Sequence, residues 1–243
     1  MPAAWGVIYP TPQPYEPLAR KQECWARARH ANQLPDLVLF LEHEPTVTLG
    51  RRGRTQHLLV PPETLAARGI ALHRSARGGD VTYHAPGQLV CYPILRLGAL
   101  GADAHGYLYN LEELAIRTCS DFGVSAFRVA GKNGAWTKYG KLAAIGFHLR
   151  RGITIHGMSF NVNLDLTGFD TIVPCGLVGD PVTSLATILG KRAPALSAVR
   201  ESMREHFETV LGRPLAPHSP AELEPFCRPP SDHVNPTSAT PPT

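Results

Sequence analysis

Residues 141–164 read KLAAIGFHLRRGITIHGMSFNVNL and contain two apolar segments separated by a short basic turn. Both segments, residues 141–149 and 153–164, have the composition of β-strands. From Ser159 onward the second segment alternates polar with apolar side chains, which is the period-two pattern of a strand with one buried face. Only residues 150–152 join the two segments, so this stretch predicts a β-hairpin.

Further predicted strands and helices lie on both sides of this hairpin. Residues 17–32, 107–122 and 196–211 carry apolar side chains at helical spacing. A continuous apolar run at 36–43 and the segment TVTL at 46–49 predict strands. Helices and strands alternate irregularly, which predicts an α+β fold with a mixed, largely antiparallel sheet and helices packed on it.

The order of elements also excludes one common fold and suggests a domain boundary. No predicted strand leads into a Gly-x-Gly-x-x-Gly turn before a helix, which argues against a doubly wound nucleotide-binding fold. We expect residues 1–213 to form a single domain. Residues 214–243 are rich in proline, serine and threonine, and we expect them to form a disordered C-terminal tail.

Composition narrows the class of protein. With 243 residues and 43% hydrophobic content, the chain can bury one sizeable core. Its net charge of +4 is too weak to indicate nucleic-acid binding, and no apolar run reaches the length of a membrane span. The N-terminus lacks the features of a secretory signal or a transit peptide. We therefore expect neither a nucleic-acid partner nor a membrane partner.

Cysteine usage suggests the compartment. The five cysteines are widely spaced, and none of their spacings with histidine resembles a zinc site, so we expect no metal. An odd number of unpaired thiols is typical of a reducing compartment, which predicts a cytoplasmic protein. The basic cluster Arg51, Arg52 and Arg54 is most simply a solvated loop, with docking of an acidic partner as the alternative.

The segment RGGDVTYHAPGQLVCY at 77–92 has a composition that packing alone does not require. Its adjacent glycines, Gly78 and Gly79, allow backbone N–H groups to face a ligand oxygen. Arg77 adds a permanent charge with forked donors. The alternative is a decorated hairpin in which Arg77 lies on the surface and His84 is a satisfied core histidine. The combination favours a loop that lines a ligand site.

A second candidate is Cys175, which lies between Pro174 and Gly176 and is therefore presented at a turn. A lone cysteine is more often a small buried apolar residue. A nucleophilic thiol needs a partner at neutral pH, because the thiolate is the reactive form. Lys141 begins an otherwise apolar strand and is one candidate for that partner, although a lysine at a strand end is usually solvated.

The predicted hairpin also contains two glycines, Gly146 and Gly157. Glycine weakens a strand unless another backbone or a ligand approaches closely. Together with the neighbouring small residues, the two glycines predict a groove that suits a linear acyl chain.

Three motifs of this chain, in their order and spacing, resemble those of the lipoyl(octanoyl) transferases of lipoate biosynthesis. They are RGGDVTYHAPGQLVCY, KLAAIGFHLRRGITIHGMSFNVN and PCGL…PVTSL, with EHEPTVTLGRRG and YLYNLEELAIRT fitting on either side of the first. The resemblance runs from about residue 36 to residue 190. Ala85 stands where many relatives have glycine, and the proline-rich tail is not part of the family core.

The resemblance implies the fold of the biotin and lipoate protein ligases, with residues 1–213 as one acyltransferase catalytic domain. It implies transfer of an octanoyl (or lipoyl) group from acyl carrier protein to a lysine of lipoyl domains, in 2-oxoacid dehydrogenase complexes and the glycine cleavage H protein. The reaction would be ping-pong, without ATP or any cofactor. Cys175 would carry the acyl thioester, and Lys141 would stabilise its thiolate. The acyl site would be lined by Arg77, Gly78, Gly79, Asp80, Val81, Thr82, Tyr83, His84, Ala144, Ile145, Gly146, Gly157, Met158 and Ser159.

Three other functions stay open at this point. The first is an ATP-dependent lipoate or biotin ligase of the same fold, which would not need Cys175. The second is a thioesterase or cysteine hydrolase, with His84 or His156 as its base. The third is an inert module that binds acylated carriers. The presence of both Lys141 and Cys175 favours acyl transfer over all three.

Overall fold

The computed structural model describes residues 3–177 and 179–227. The strands, in chain order, are β1 (Ala4–Ile8), β2 (Leu37–Leu41), β3 (Thr46–Leu49), β4 (Ala71–Arg74), β5 (Val81–His84), β6 (Gln88–Ile94), β7 (Phe127–Val129), β8 (Lys132–Thr137), β9 (Gly140–Arg150), β10 (Ile153–Asn161) and β11 (Leu215–His218). The α-helices are α1 (Tyr15–His30), α2 (Pro62–Ala67), α3 (Ala104–Asp121), α4 (Leu185–Leu189) and α5 (Leu196–Leu211).

Most of the strands belong to one large sheet, in the order β11-β1-β2-β6-β10-β9-β8-β7. Its β11, β1 and β2 run parallel to one another, and the pairs from β2 to β7 are antiparallel. A small sheet has β3 at its centre, parallel to β4 and antiparallel to β5. The predicted α+β fold with a mixed, largely antiparallel sheet is therefore confirmed.

The predicted hairpin is also confirmed, as β9 and β10. Arg150 pairs with Ile153, so the loop has two residues, Arg151 and Gly152. Both have positive φ, 50° and 79°, as in the type I′ turns whose twist matches the flanking strands.

Helices cover both faces of the large sheet. On one face α3 packs against α5, and Tyr107, Leu111 and Phe207 are fully buried in the shared core. Each such side chain stabilises the fold by about 1.5–3 kcal/mol. On the other face α1 buries Trp25, so all three predicted helices are confirmed. In the described part of the chain, no helix is long and apolar enough to cross a membrane.

The predicted domain boundary at residue 213 is wrong. β11 adds to the edge of the large sheet, with Leu215 opposite Ala4. Beyond it Leu223 is fully buried, and its carbonyl accepts a hydrogen bond from Trp25 Nε1 at 3.1 Å. β11 was not predicted because its segment is rich in proline, but it pairs with the otherwise open edge of β1. The described fold continues to Cys227. The rest of the predicted tail, residues 228–243, lies outside the described residues.

Candidate active site

Lys141 and Cys175, the two predicted catalytic residues, are in direct contact. Lys141 Nζ donates a hydrogen bond to Cys175 Sγ at 3.2 Å. The lysine is only 7% exposed, so its predicted alternative as a solvated strand-end residue is wrong. An ammonium group held against a sulfur in partly buried surroundings attracts the thiolate form more strongly than it would in water.

The neighbouring backbone fixes Lys141 in this position. Its N–H donates to Pro181 O at 2.9 Å, and its carbonyl accepts from Thr183 N–H at 3.0 Å. The segment after Cys175 therefore runs beside the start of β9 and connects the two predicted catalytic residues. Nζ also lies 4.9 Å from the centroid of the Trp136 ring, within the range of a cation–π interaction.

Cys175 occupies an unusual backbone conformation. It lies in a 3-10 turn, Pro174–Gly176, with φ 58° and ψ 14°. A non-glycine residue in this left-handed region costs about 1–2 kcal/mol, and such strain is concentrated at functional sites. Gly176 follows with φ 67°, and a Cβ there would lie 2.8 Å from Asp80 Oδ2. The turn is therefore packed tightly against the segment that contains Asp80.

Asp80 lies in contact with the start of β5, with His57 and with the turn at Gly176. Its Oδ1 accepts the Val81 N–H at 2.8 Å, and its Oδ2 lies 2.8 Å from His57 Nδ1. His57 in turn lies close to Gly176. Sequence reasoning missed His57, because an isolated histidine in a short polar segment carries no recognisable pattern.

Arg77 is buried, and all three of its guanidinium nitrogens donate hydrogen bonds to the protein. Its Nε and Nη2 donate to Thr48 Oγ1 at 3.0 and 2.8 Å, and Nη2 also donates to Thr48 O at 2.7 Å. Nη1 donates to Gly78 O at 3.0 Å. Burial, the largest cause, lowers the pKa of Arg77, and nearby acidic groups oppose that shift. The alternative of a surface arginine is therefore wrong, and Arg77 holds the loop in place.

Two of the backbone N–H groups near the sulfur are already used within the protein. Gly78 donates to Phe147 O at 2.9 Å, and Gly176 donates to Val173 O at 3.0 Å. Neither N–H group is therefore available to stabilise an oxyanion in this conformation.

A cleft lies beside Cys175, between β5, β9 and β10. Tyr92 and His156 line it together with most of the predicted acyl-site residues. These are Arg77, Gly79, Asp80, Thr82, His84, Ala144, Ile145, Gly146, Gly157, Met158 and Ser159.

Three of the predicted acyl-site residues do not line this cleft. Gly78 lines a neighbouring groove. Val81 and Tyr83 point to the opposite face of β5 and pack in the core of the small sheet, where Tyr83 contacts Phe169 edge to face at 5.5 Å. Successive side chains of a strand alternate between its faces, so only Thr82 and His84 can face the cleft.

The glycines of the hairpin are required by close backbone contacts. A Cβ at Gly146 would lie 2.7 Å from Gly78 O, and one at Gly157 would lie 2.4 Å from Cys91 O. Gly146 thus lets the loop of Arg77 pack directly against β9. Of the two explanations that the sequence offered, a nearby backbone and a nearby ligand, the backbone accounts for both glycines.

Buried aromatic and imidazole rings surround the inner part of the cleft. Tyr15 stacks on His84 and His156 and contacts His43, with centroid separations between 5.1 and 6.3 Å. Burial, the largest cause in each case, lowers the pKa of His43 to about 4 and that of His156 to about 3. Burial also lowers the pKa of His84 well below 6.5. All three imidazoles are therefore neutral at pH 7.

Other thiols differ from Cys175 in their surroundings. Cys91 and Cys119 are fully buried in the core, and burial raises the pKa of both, that of Cys119 to about 12. They are packing residues of the core. Among the described residues, no group of three or more histidine, cysteine or acidic side chains is arranged to hold a metal ion.

Comparison with known proteins identifies the family of this chain. A profile of the lipoyl protein ligase A/B catalytic domain matches residues 13–208. The chain belongs to this family. It is 50% identical over 181 residues to the octanoyltransferase of Chloroflexus aurantiacus, covering 73% of this chain and 81% of that protein. It is 46% identical over 215 residues to the octanoyltransferase of Acidobacterium capsulatum, covering 82% of this chain and 87% of that protein.

Solved structures of lipoate protein ligases share the fold. A bipartite lipoate protein ligase from Thermoplasma acidophilum aligns with a TM-score of 0.74 at 16% identity, over 93% of this chain and 91% of that one. A lipoate-protein ligase A bound with ATP aligns with a TM-score of 0.75 at 16% identity, over 93% and 92%. The predicted resemblance and fold are therefore confirmed, and this lipoyl protein ligase A/B family member is an acyltransferase.

Proposed function

We propose that this chain transfers an octanoyl (or lipoyl) group from acyl carrier protein to a specific lysine of lipoyl domains. The acyl group passes through a thioester on Cys175, and the reaction needs no ATP. The observation that carries the proposal is the hydrogen bond from Lys141 Nζ to Cys175 Sγ at 3.2 Å. A cation held against a cysteine sulfur favours the thiolate, which is the form that can accept an acyl group covalently.

In the first half-reaction the Cys175 thiolate attacks the carbonyl carbon of the octanoyl thioester. A new C–S bond forms to Cys175 and the bond to the carrier's sulfur breaks. The carrier leaves as a thiol after taking a proton from the Lys141 ammonium, which is left neutral. One thioester replaces another of similar energy, so no ATP is consumed. Lys141 stabilises the Cys175 thiolate before the attack through Coulombic attraction.

In the second half-reaction the neutral amine of the acceptor lysine attacks the Cys175 thioester. An amide bond forms, the bond to Cys175 breaks, and the sulfur leaves as a thiolate beside Lys141. The attacking nitrogen loses a proton, and Lys141 in its neutral form is the nearest base to receive it. The two half-reactions share one site and follow a ping-pong order.

The contacts of the cysteine favour this proposal over a hydrolase. The group that contacts the Cys175 sulfur is Lys141, whereas His84 Nδ1 is paired with Gln88 Oε1 at 2.7 Å. Burial lowers the pKa of both His84 and His156, which makes each a weak base. The strained turn at Cys175 favours transfer over a binding module or an ATP-dependent ligase, since neither needs the thiol.

Two basic grooves meet beside the catalytic pair and suit acidic protein partners. One is lined by Arg52, Arg54 and Lys132 and reaches Cys175. The other contains Arg51, Arg52 and His105. We propose that they receive the carrier arm and then the lipoyl domain of a 2-oxoacid dehydrogenase complex or of the glycine cleavage H protein.

We also propose a cytoplasmic location. All five cysteines are free thiols, as expected in a reducing compartment.

The test is a mass measurement on the intact protein. Incubation with octanoyl-carrier and no ATP is expected to add one octanoyl group, and Cys175→Ser is expected to abolish the adduct. Cys24→Ser is the matched control, because Cys24 is also a partly exposed thiol but lies in α1, away from the cleft.

Each alternative function gives a different result in the same experiment. Strict dependence of the adduct on ATP would indicate a ligase. Release of free octanoate, with no product on an added lipoyl domain, would indicate a hydrolase. Binding of the carrier without an adduct or turnover would indicate a binding module. Any of these three outcomes contradicts the proposal.

A further inference from the structure

The inner end of the cleft contains two buried nitrogen atoms with no hydrogen-bond partner in the described structure, His84 Nε2 and His156 Nδ1. Each histidine is only 4% exposed, and each lines the cleft. A buried polar atom is costly unless it is paired, so such atoms indicate a missing partner. Both histidines lie away from the sulfur. His84 is at the far end of β5, four positions after Asp80, which is next to the turn of Cys175, and a strand rises about 3.3 Å per residue. His156 pairs with Phe147, six positions along β9 from Lys141.

A chain of hydrogen bonds fixes the chemical character of His84 Nε2. Asn161 Nδ2 donates to Thr183 O, so Asn161 Oδ1 is free to accept from Gln88 Nε2 at 2.9 Å. Gln88 Oε1 is then an acceptor, and it faces His84 Nδ1 at 2.7 Å. His84 Nδ1 therefore carries the proton, and Nε2 of this neutral ring presents a lone pair. His84 Nε2 can therefore only accept a hydrogen bond, and its partner must be a hydrogen-bond donor.

Two neighbouring donors have other partners. His43 Nδ1 donates to Gln13 O at 2.8 Å, so His43 Nε2 accepts the hydroxyl proton of Tyr92 at 2.9 Å. The guanidinium of Arg77 donates to Thr48 and to Gly78 O. No group of the described residues forms a hydrogen bond with His84 Nε2, so we infer that its donor comes from outside the wall of the cleft.

We propose that the inner end of the cleft is a hydrogen-bonding subsite for one O–H donor and that it limits the length of the acyl chain. The proposal rests on the acyl transfer proposed above. With an octanoyl chain the donor is a water molecule beneath the terminal methyl. A longer apolar chain displaces that water and leaves the lone pair of His84 unpaired. A chain that ends in a hydroxyl replaces the water without that loss.

The test compares two acyl chains with the same number of non-hydrogen atoms, 8-hydroxyoctanoyl and nonanoyl, presented as pantetheine thioesters. The wild-type protein is expected to prefer the hydroxylated chain in kcat/KM, although an apolar cleft without such a subsite would prefer nonanoyl. In His84→Leu the ratio of the two values is expected to move at least tenfold towards nonanoyl, because the unpaired acceptor is gone. His84→Gln, which keeps a polar atom near the position of Nε2, is expected to restore part of the preference.

His73→Leu is the matched control. His73 stacks on the same Tyr15 ring at 5.9 Å but does not line the cleft, so the ratio is expected to stay at its wild-type value. The proposed subsite is contradicted if the wild-type protein prefers nonanoyl. It is also contradicted if the ratio of the two kcat/KM values is the same in wild type and in His84→Leu. The wild-type comparison decides the matter even where a variant fails to fold.

A binding measurement separates this proposal from the acyl transfer on which it rests. Calorimetric titration of Cys175→Ser with free 8-hydroxyoctanoate and free nonanoate needs no chemistry at the sulfur. Tighter binding of the hydroxylated acid supports the subsite even where no thioester forms on wild-type Cys175, and tighter binding of nonanoate overturns it.

Discussion

Lys141 Nζ lies 3.2 Å from Cys175 Sγ, although 34 positions of the chain separate the two residues. They meet because the segment after Cys175 returns to β9, where Val182 forms a parallel bridge with Lys141. The lysine is thus held by strand pairing and the cysteine by a strained turn. The proposed chemistry depends on both restraints, and the predictions below test each of them.

Lys141→Arg is expected to lower kcat about 100-fold, because the charge is kept while the position of the cation changes. The measurement is single-turnover transfer from octanoyl-carrier, with the rate of alkylation of Cys175 by iodoacetamide as a second readout. Lys138→Arg is the control, since Lys138 is exposed and lies over Tyr139 away from the sulfur. Unchanged transfer in Lys141→Arg would remove Lys141 from the mechanism.

Gly176→Ala and Gly179→Ala form a matched pair on the same loop. Both glycines have positive φ, 67° and 83°, so each substitution costs about 1–2 kcal/mol in backbone strain. Only at Gly176 does the new Cβ meet another group, Asp80 Oδ2 at 2.8 Å. Activity is expected to fall at least tenfold in Gly176→Ala and to change little in Gly179→Ala. Equal losses in both would show that the contact with Asp80 does not position Cys175.

The buried histidines make stability depend on pH. Burial lowers the pKa of His43 to about 4 and that of His156 to about 3, below the ordinary value of 6.5. Between these values the unfolded chain binds more protons than the folded one, so stability is complete above about pH 6.5 and falls as the pH decreases. Each of the two histidines is expected to remove roughly 2 kcal/mol of unfolding free energy between pH 6.5 and pH 5.

Urea unfolding at several pH values measures this dependence. His43→Gln is expected to make the dependence shallower by about one proton, because the substituted side chain does not titrate. His30→Gln, at an exposed position at the end of α1, is expected to leave the slope unchanged. An unchanged slope in His43→Gln would show that His43 titrates normally in the folded protein.

Leu223→Ala tests whether the segment after residue 213 belongs to the fold. Leu223 is fully buried against the Trp25 side of the large sheet, so the substitution is expected to cost about 2–4 kcal/mol of unfolding free energy. Leu59→Ala is the control, because Leu59 is 58% exposed and the expected change is below about 0.5 kcal/mol. Equal stability of the two variants would support the boundary that the sequence suggested.

The sequence predicts the elements whose periodicity is complete within one segment. The β9–β10 hairpin and the long helices α3 and α5 belong to this class, because each carries its own apolar pattern. β11 does not. Its residues LAPH show no alternation, and its strand conformation depends on the open edge of β1, more than 200 positions earlier.

The residues of the candidate site also fall into two groups, those that a local pattern can place and those that depend on contacts between distant segments. Alternation within β5 could have placed Thr82 and His84 in the cleft and Val81 and Tyr83 outside it, but the family resemblance covered the whole segment. His57 depends on the packing of the turn at Gly176 against Asp80, a contact that no local pattern records. The residues alone made Lys141 only one candidate partner of Cys175, because the two residues lie on separate elements, and the family resemblance singled it out.

The central claim is that Cys175 carries the acyl group, and a pulse–chase experiment tests it most directly. The protein is loaded with octanoyl from octanoyl-carrier, freed of donor, mixed with a lipoyl domain and quenched at short times, and peptide mass mapping locates the acyl group. If Cys175 carries the acyl group, octanoyl on Cys175 is expected to disappear at the rate at which octanoyl-lysine forms on the lipoyl domain. Octanoyl-lysine that forms while the Cys175 adduct persists, or that forms at an undiminished rate in Cys175→Ser, would contradict it.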